Sequence, residues 1–165
     1  MDETKYMKLL ILSDTHHRTD RMQYAFDQCK PDVVLHLGDN ISDCYALQRQ
    51  NPDTVFHMVK GNCDIQGHEE NELFLLLEGV KIYMTHGHVY GVKSSMVALT
   101  YEARKKGADL ALYGHTHKAM IQSTPGLRLM NPGQMERHDA KRVASYGIVT
   151  VNGDTFDCDI VYLPL

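Results

Sequence analysis

No basic surplus, no membrane-length apolar run and no Cys-x-x-Cys pair occur in this chain of 165 residues. Its formal charge of −4 offers no footprint for nucleic acid and no polybasic patch for a membrane surface. The same charge disfavours polyanionic substrates unless bound cations reverse the local field. The opening stretch MDETKYMKLLILSD is acidic and polar before its apolar run. That run is far too short to span a bilayer, and the charge order is wrong for a signal peptide. Cys29, Cys44, Cys63 and Cys158 are widely scattered, so free thiols in a reducing cytoplasm fit better than a disulfide framework or a cysteine zinc site. Also missing are any Pro-, Gly- or Ser-rich linker, internal repeat or low-complexity segment. With 43% hydrophobic and 23% charged residues, the composition is that of a soluble globular protein, expected to form a single domain over residues 1–165.

What is present is an alternation of short apolar runs with helical patterns. KLLILSD (8–14), DVVLHLGD (32–39), TVFHMVKGN (54–62), KIYMTHG (81–87) and ADLALYGH (108–115) read as buried strands. Helices are expected over 19–30, 42–50 and 94–106, the last with Met96, Leu99 and Ala103 on one face and Gly107 as its stop. After residue 120, LRLMNPG, ASYGIVTV and TFDCDIVYL suggest antiparallel strands, with VNGDT supplying an Asn-Gly hairpin turn. The first half thus predicts parallel βαβ units and the second a β-meander, accommodated by two packed sheets with helices outside.

Each of the five buried strands finishes in a potential metal ligand: Asp14 and His16, Asp39, Asn62, His86, then His115 and His117. In open α/β sheets, ligands gather at the carboxyl ends of strands, so residues far apart in sequence can meet there. Gly38, Gly61, Gly87 and Gly114 stand beside most of them, permitting sharp turns and close backbone approach. Taken alone, each signal reads as an ordinary turn; five in the same context do not. His-x-His is the best single signal, because residues two apart on a strand share a face, with Cα atoms roughly 6.5 Å apart. That spacing suits one shared ion or two neighbouring ones. Carboxylate, imidazole and amide donors suit Mn²⁺, Fe²⁺ or Zn²⁺ better than a Ca²⁺ or Mg²⁺ cage. Seven ligands exceed the needs of one ion, so two ions sharing a carboxylate is the economical reading. Metals about 3.5–4 Å apart clamp a phosphoryl group and generate hydroxide near neutral pH. His88 is a further candidate for the site and Cys63 a possible pocket wall. His36 and His57 fall inside strands and are expected in core or sheet-edge roles, and His17, His68 and His138 in solvated loops.

In order, the blocks DTH, GDN, GNCD, THGH and GHTH, followed by NPG, run from residue 14 to 133 and resemble the calcineurin-like metallophosphoesterases. Size and GNCD resemble the small phosphodiesterase branch, which also contains the small scaffold subunit of retromer. The resemblance implies an α/β fold, an α-β-β-α four-layer sandwich of two mixed β-sheets flanked by helices. It also implies the ligand sets: Asp14, His16 and His117 on one divalent metal, Asn62, His86 and His115 on the other, with Asp39 bridging. Mn²⁺ is the expected ion, with Fe²⁺, Zn²⁺ or Ni²⁺ as alternatives, and a hydroxide between the metals would attack phosphorus in line with the leaving group. The catalytic set is then Asp39, Asn62, His88 and Cys63. Most phosphatases of the superfamily have GNH where this chain has Cys63, followed here by Asp64. Loss of that histidine favours diesters with good leaving groups over monoesters. Gln134 stands where many relatives have serine, which leaves the loop contacts to substrate open. The expected partner is a small phosphate ester, with homo-oligomerisation open. The competing function is a protein-interaction scaffold on the same fold; intact ligand positions favour the enzyme.

Overall fold

The computed structural model describes residues 6–136 and 143–164. Two five-stranded mixed sheets form its centre. The first has the order β10-β9-β1-β2-β3, from β1 (Met7–Leu12), β2 (Val33–His36), β3 (Val55–Met58), β9 (Ser145–Asn152) and β10 (Thr155–Tyr162). The second has the order β4-β5-β6-β8-β7, from β4 (Glu72–Leu77), β5 (Val80–Thr85), β6 (Leu110–Leu112), β7 (Met120–Thr124) and β8 (Leu127–Asn131). Parallel pairing joins β1 to β2 and β2 to β3 in one sheet, and β5 to β6 and β6 to β8 in the other.

Alternation along the strands sets the layers. Leu9, Ile11, Val33 and Leu35 of one sheet meet Ile82, Met84, Leu110 and Leu112 of the other in a core between the sheets. Their neighbours Leu10, Leu12 and Val34 point outward onto α1 (Thr19–Cys29) and α2 (Ile41–Gln50). On the opposite side Tyr83, Ala111 and Leu129 pack against Leu99 and Ala103 of α3 (Val97–Lys105). The result is the expected α-β-β-α sandwich. A period of two dictates it, since successive strand residues face opposite layers. Each fully buried leucine adds about 1.5–3 kcal/mol. None of the described helices is long and apolar enough to cross a membrane.

Three details differ from expectation. The five ligand-bearing strands end at Leu12, His36, Met58, Thr85 and Leu112, before the polar residues, which lie in turns. The C-terminal third is not a meander: β7–β8 joins one sheet, with β8 parallel to β6, whereas β9–β10 joins the other beside β1. Each hairpin thereby covers one open side of a parallel strand set. The second turn is centred on Gly153 and Asp154, because Asn152 still pairs with Thr155. Gly153 at φ 63° supplies the left-handed first position of a two-residue turn. The sequence reading also missed β4, although ELFLLL before the Glu78-Gly79 turn is a strand signal, and β7, whose exposed edge lacks one.

Candidate metal centre

The polar residues following β1, β2, β5 and β6 converge at one end of the sheets. Two groups bring candidate ligand atoms within 4.8 Å of one another: Asp14, His16 and His117, and Asp14, Asp39 and His86. Asp14 Oδ1 lies 3.1 Å from His117 Nε2 and 4.0 Å from His86 Nε2, which in turn is 3.3 Å from Asp39 Oδ2. His115 faces His86 at a centroid distance of 5.0 Å, while His117 faces His16 at 5.2 Å. The two rings of the His-x-His pair therefore diverge. They do so from a bend beyond β6, where His115 and His117 adopt φ of 69° and 64°, so strand spacing is not what separates them.

Backbone strain is concentrated here. Asp14, His16, Asp39, His115 and His117 all have positive φ, a region that costs non-glycine residues about 1–3 kcal/mol each. Close packing holds the strained turns. A side chain at Gly38 would stand 2.7 Å from Gly61 N and 2.9 Å from His86 Nδ1. One at Gly114 would stand 2.9 Å from Asp14 Oδ2.

Hydrogen bonds aim three of the ligands. His86 Nδ1 lies 2.8 Å from Leu37 O; donation there leaves Nε2 as the acceptor facing the carboxylates. Ser13 Oγ and His115 N donate to Asp14 Oδ2 at 2.6 and 3.2 Å, turning Oδ1 inward. Cys63 N donates to Asp39 Oδ1 at 2.9 Å, leaving Oδ2 for His86. Asp14 Oδ1 and His86 Nε2 are buried, and among the described residues the polar atoms close to them are other candidate ligands, His117 Nε2 at 3.1 Å and Asp39 Oδ2 at 3.3 Å, an arrangement that a bound cation would complete. An array of carboxylate and imidazole donors turned on a common point fits a divalent transition metal.

The electrostatics agree. Burial pushes the Asp14 carboxyl upward, but His117, His86 and Ser13 together bring it below its ordinary value. Asp39 behaves likewise, with His86 and Cys63 outweighing burial. His86 is depressed by burial yet held above its ordinary value by Asp39 and Asp14. The two carboxylates thus stabilise positive charge between them, and His86 must be neutral to ligate. Burial, then His86, pushes His88 and His115 down, favouring the neutral imidazole that binds metal.

Asn62 is exposed on the turn after β3, its amide against Cys63 Sγ at 3.6 Å. Cys63 is also exposed. His88 is half-buried, 5.5 Å from His86 and 6.1 Å from His115 between ring centroids, and its Nδ1 has no hydrogen-bond partner among the described residues. Gln134 is fully buried and so does not offer its side chain to substrate. His36 is buried and His57 lies on the edge strand β3, while His17 and His68 are exposed; His138 falls outside the described residues.

Sequence reasoning missed the supporting shell. Asp64 accepts from Asp39 N, Gly61 N and Ile41 N at 2.7, 2.8 and 3.1 Å, tying two ligand-bearing turns together. Gly38 N donates to His36 Nδ1 at 3.1 Å, so His36 Nε2 donates to Thr15 Oγ1 at 3.2 Å, which donates to Asp43 Oδ2 at 2.8 Å. Asn131 donates to Gly114 O and Thr116 Oγ1 at 3.1 and 2.9 Å, fixing the His115–His117 bend. Thr15, Asp64 and Asn131 lay inside the DTH, GNCD and NPG blocks; Asp43 carried no local signal.

The calcineurin-like phosphoesterase superfamily domain matches residues 7–154. A probable metallophosphoesterase of Bacillus subtilis, YsnB, is 33% identical over 90% of this chain and 86% of its own. The phosphodiesterase YfcE of Escherichia coli is 28% identical, covering 87% of each chain. Among solved structures, Vps29 of Entamoeba histolytica complexed with Zn²⁺ superposes with a TM-score of 0.75 at 22% identity, over 94% of this chain and 99% of that one.

Proposed function

Because the chain belongs to the calcineurin-like phosphoesterase superfamily, we propose that it is a cytoplasmic, metal-dependent phosphodiesterase using two divalent ions. The observation that carries the reading is the buried cluster of donor atoms itself: among the described residues, Asp14 Oδ1 and His86 Nε2 face only other candidate ligands, with His117 Nε2 3.1 Å from the first and Asp39 Oδ2 3.3 Å from the second. Asp14, His16 and His117 would hold one ion; Asn62, His86 and His115 the other, with Asp39 shared. Asp14 is the residue common to both close groups, so the identity of the shared carboxylate is itself testable. Bound ions would neutralise phosphoryl charge and acidify water near neutral pH; Mn²⁺ is the favoured ion. That charge reversal lets an acidic protein accept a phosphate ester.

The chain's own residues divide the remaining work. Leu37 O sets the His86 tautomer, and Asp64 and Asn131 hold the ligand turns rigid. His88 would donate to a phosphoryl oxygen at the rim. Cys63 is the reason for choosing diesters. Burial and then Asp39 lift its thiol above the ordinary range, making it a weak proton donor for a departing alkoxide. A hollow of about 530 Å³ is lined by Asn40 and Cys63, which follow Asp39 and Asn62 in the chain, with Tyr45, Asp64 and His68. Another of about 480 Å³ borders Thr116, between His115 and His117. A larger hollow of about 780 Å³ along α3 is lined, among the described residues, by none adjacent in sequence to a candidate ligand. Two separate hollows, each lined by residues next to candidate ligands, suit the two ester arms of a diester.

The test is hydrolysis of bis-p-nitrophenyl phosphate and p-nitrophenyl phosphate by metal-free and Mn²⁺-loaded protein. Diester turnover that requires metal and exceeds monoester turnover is expected. Two ions bound without turnover of either ester, whichever of Mn²⁺, Fe²⁺, Zn²⁺ or Ni²⁺ is supplied, would favour the scaffold alternative.

A further inference from the structure

The hollow beside the His115–His117 bend has a chemical character of its own. Lys93, Ser94, Ser95, Tyr113, Thr116 and Lys118 contribute to its lining, and among the described residues no carboxylate does. In a chain of net charge −4, a wall whose described residues include two lysines and no acid, beside a metal-ligand array, is a local reversal of sign. Lys93 and Lys118 are both exposed and available to a ligand. Met96, which also lines the hollow, is the residue before α3 and provides no side-chain cap. Only Val97 N has a local side-chain acceptor, Ser95 Oγ at 3.1 Å. The positive end of a nine-residue helix therefore lies at the rim.

Tyr113 is the independent observation. It is 1% exposed, borders the hollow, and its hydroxyl has no hydrogen-bond partner among the described residues. The ring is enclosed in the core, while the hydroxyl is not among the atoms sealed from solvent, so it is free to bond a ligand seated in the hollow. The opposite wall is rigid, because Thr116 Oγ1 accepts from both Asn131 Nδ2 and Lys118 N, at 2.9 and 3.2 Å.

We propose that this hollow is a subsite for a second anionic group, a phosphate or a carboxylate, carried on one arm of the diester substrate. The proposal rests on the phosphodiesterase reading for its placement, since Thr116 sits between two candidate ligands. A volume of about 480 Å³ accommodates a phosphate with several further atoms of its arm. Lys93 and Lys118 supply the charge, the α3 terminus and the Tyr113 hydroxyl supply donors, and the specificity is for diesters bearing an extra negative group at one end.

A matched series of p-nitrophenyl propyl phosphates tests it, with the propyl chain ending in methyl, carboxylate or phosphate. All share one leaving group, so kcat should vary little and KM should report the arm. The favoured anionic end should lower KM about tenfold relative to methyl, an advantage that shrinks with added salt. Comparing the carboxylate and phosphate arms identifies the group. In the Lys93→Ala/Lys118→Ala double variant the KM ratio between anionic and methyl arms should fall towards one, and Tyr113→Phe should reduce it in part. A second readout is independent of turnover: in metal-free protein, inorganic phosphate should produce saturable shifts of the Ser94, Ser95 and Val97 amide resonances, lost in the double variant. Absence of turnover on every arm, with those shifts intact, would sink the phosphodiesterase reading and leave the anion site standing. Equal KM for all three arms, or amides that do not respond to phosphate, would overturn the subsite.

Discussion

Gly61 is not a ligand, yet replacing it with alanine should disable the centre. Its φ lies outside the left-handed region, so alanine adds little backbone strain. The obstacle is contact: the new Cβ would stand 2.7 Å from Asp39 N and 2.9 Å from Asp39 Cγ, with Oδ1 nearer still. Non-bonded heavy atoms rest about 3.5 Å apart, so the carboxyl group must retreat by roughly 0.6 Å or more. Retreat is resisted, because Cys63 N holds Oδ1 and Asp64 holds both Asp39 N and Gly61 N. Overpacking of this kind costs about 1–3 kcal/mol. At roughly 2–4 °C per kcal/mol for a chain of this size, Tm should fall by about 2–12 °C while the fold survives. Metal affinity should drop about 10–100-fold, the usual cost of disturbing a ligand's support, and a shift approaching 1 Å should lower kcat about 10²-fold. Elemental analysis after dialysis, circular dichroism and bis-p-nitrophenyl phosphate kinetics measure the three quantities. Gly126→Ala is the control: φ is 73°, but a Cβ there meets nothing within 4 Å, so Tm should fall without loss of metal. Wild-type metal content and kcat in Gly61→Ala would refute the reasoning.

Three further outcomes are expected. Asp39→Asn should weaken both ions together, His117→Ala should chiefly deplete the position shared with Asp14 and His16, and His115→Ala the other. Anomalous maps decide this, and one ion kept at full affinity in Asp39→Asn would move the shared role to Asp14. Cys63→His should raise monoester turnover more than diester turnover, by up to about 10²–10⁴-fold for poor leaving groups; an unchanged ratio at full metal occupancy contradicts the missing-acid account. Burial holds the His36 ring down to about 4, against 6.5 when exposed. The unfolded chain therefore binds the extra proton first as pH falls, so stability is complete above about 6.5 and declines by about 3 kcal/mol down to pH 4. Urea denaturation across that window should show a shallower decline in His36→Gln, and identical slopes would rule out His36 as the source.

The sequence by itself determined the layers and the donor types. Leu9 and Ile11 alternate with Leu10 and Leu12, and that period of two sends one pair between the sheets and the other onto α1 and α2. Likewise, a run of strands each followed by Asp, Asn or His assigns the chemistry to one end of a parallel set, whatever the exact strand limits. Only the tertiary structure decided which donors meet. His115 and His117 are two residues apart, yet one turns to His86 and the other to His16, because left-handed turns after β6 aim them apart. No local pattern encodes Asp64 tying Gly61 to Asp39, or the separation of the two C-terminal hairpins between different sheets. Those outcomes depend on contacts across dozens of residues, where an open sheet edge or a buried unpaired donor selects its partner only once the layers have packed.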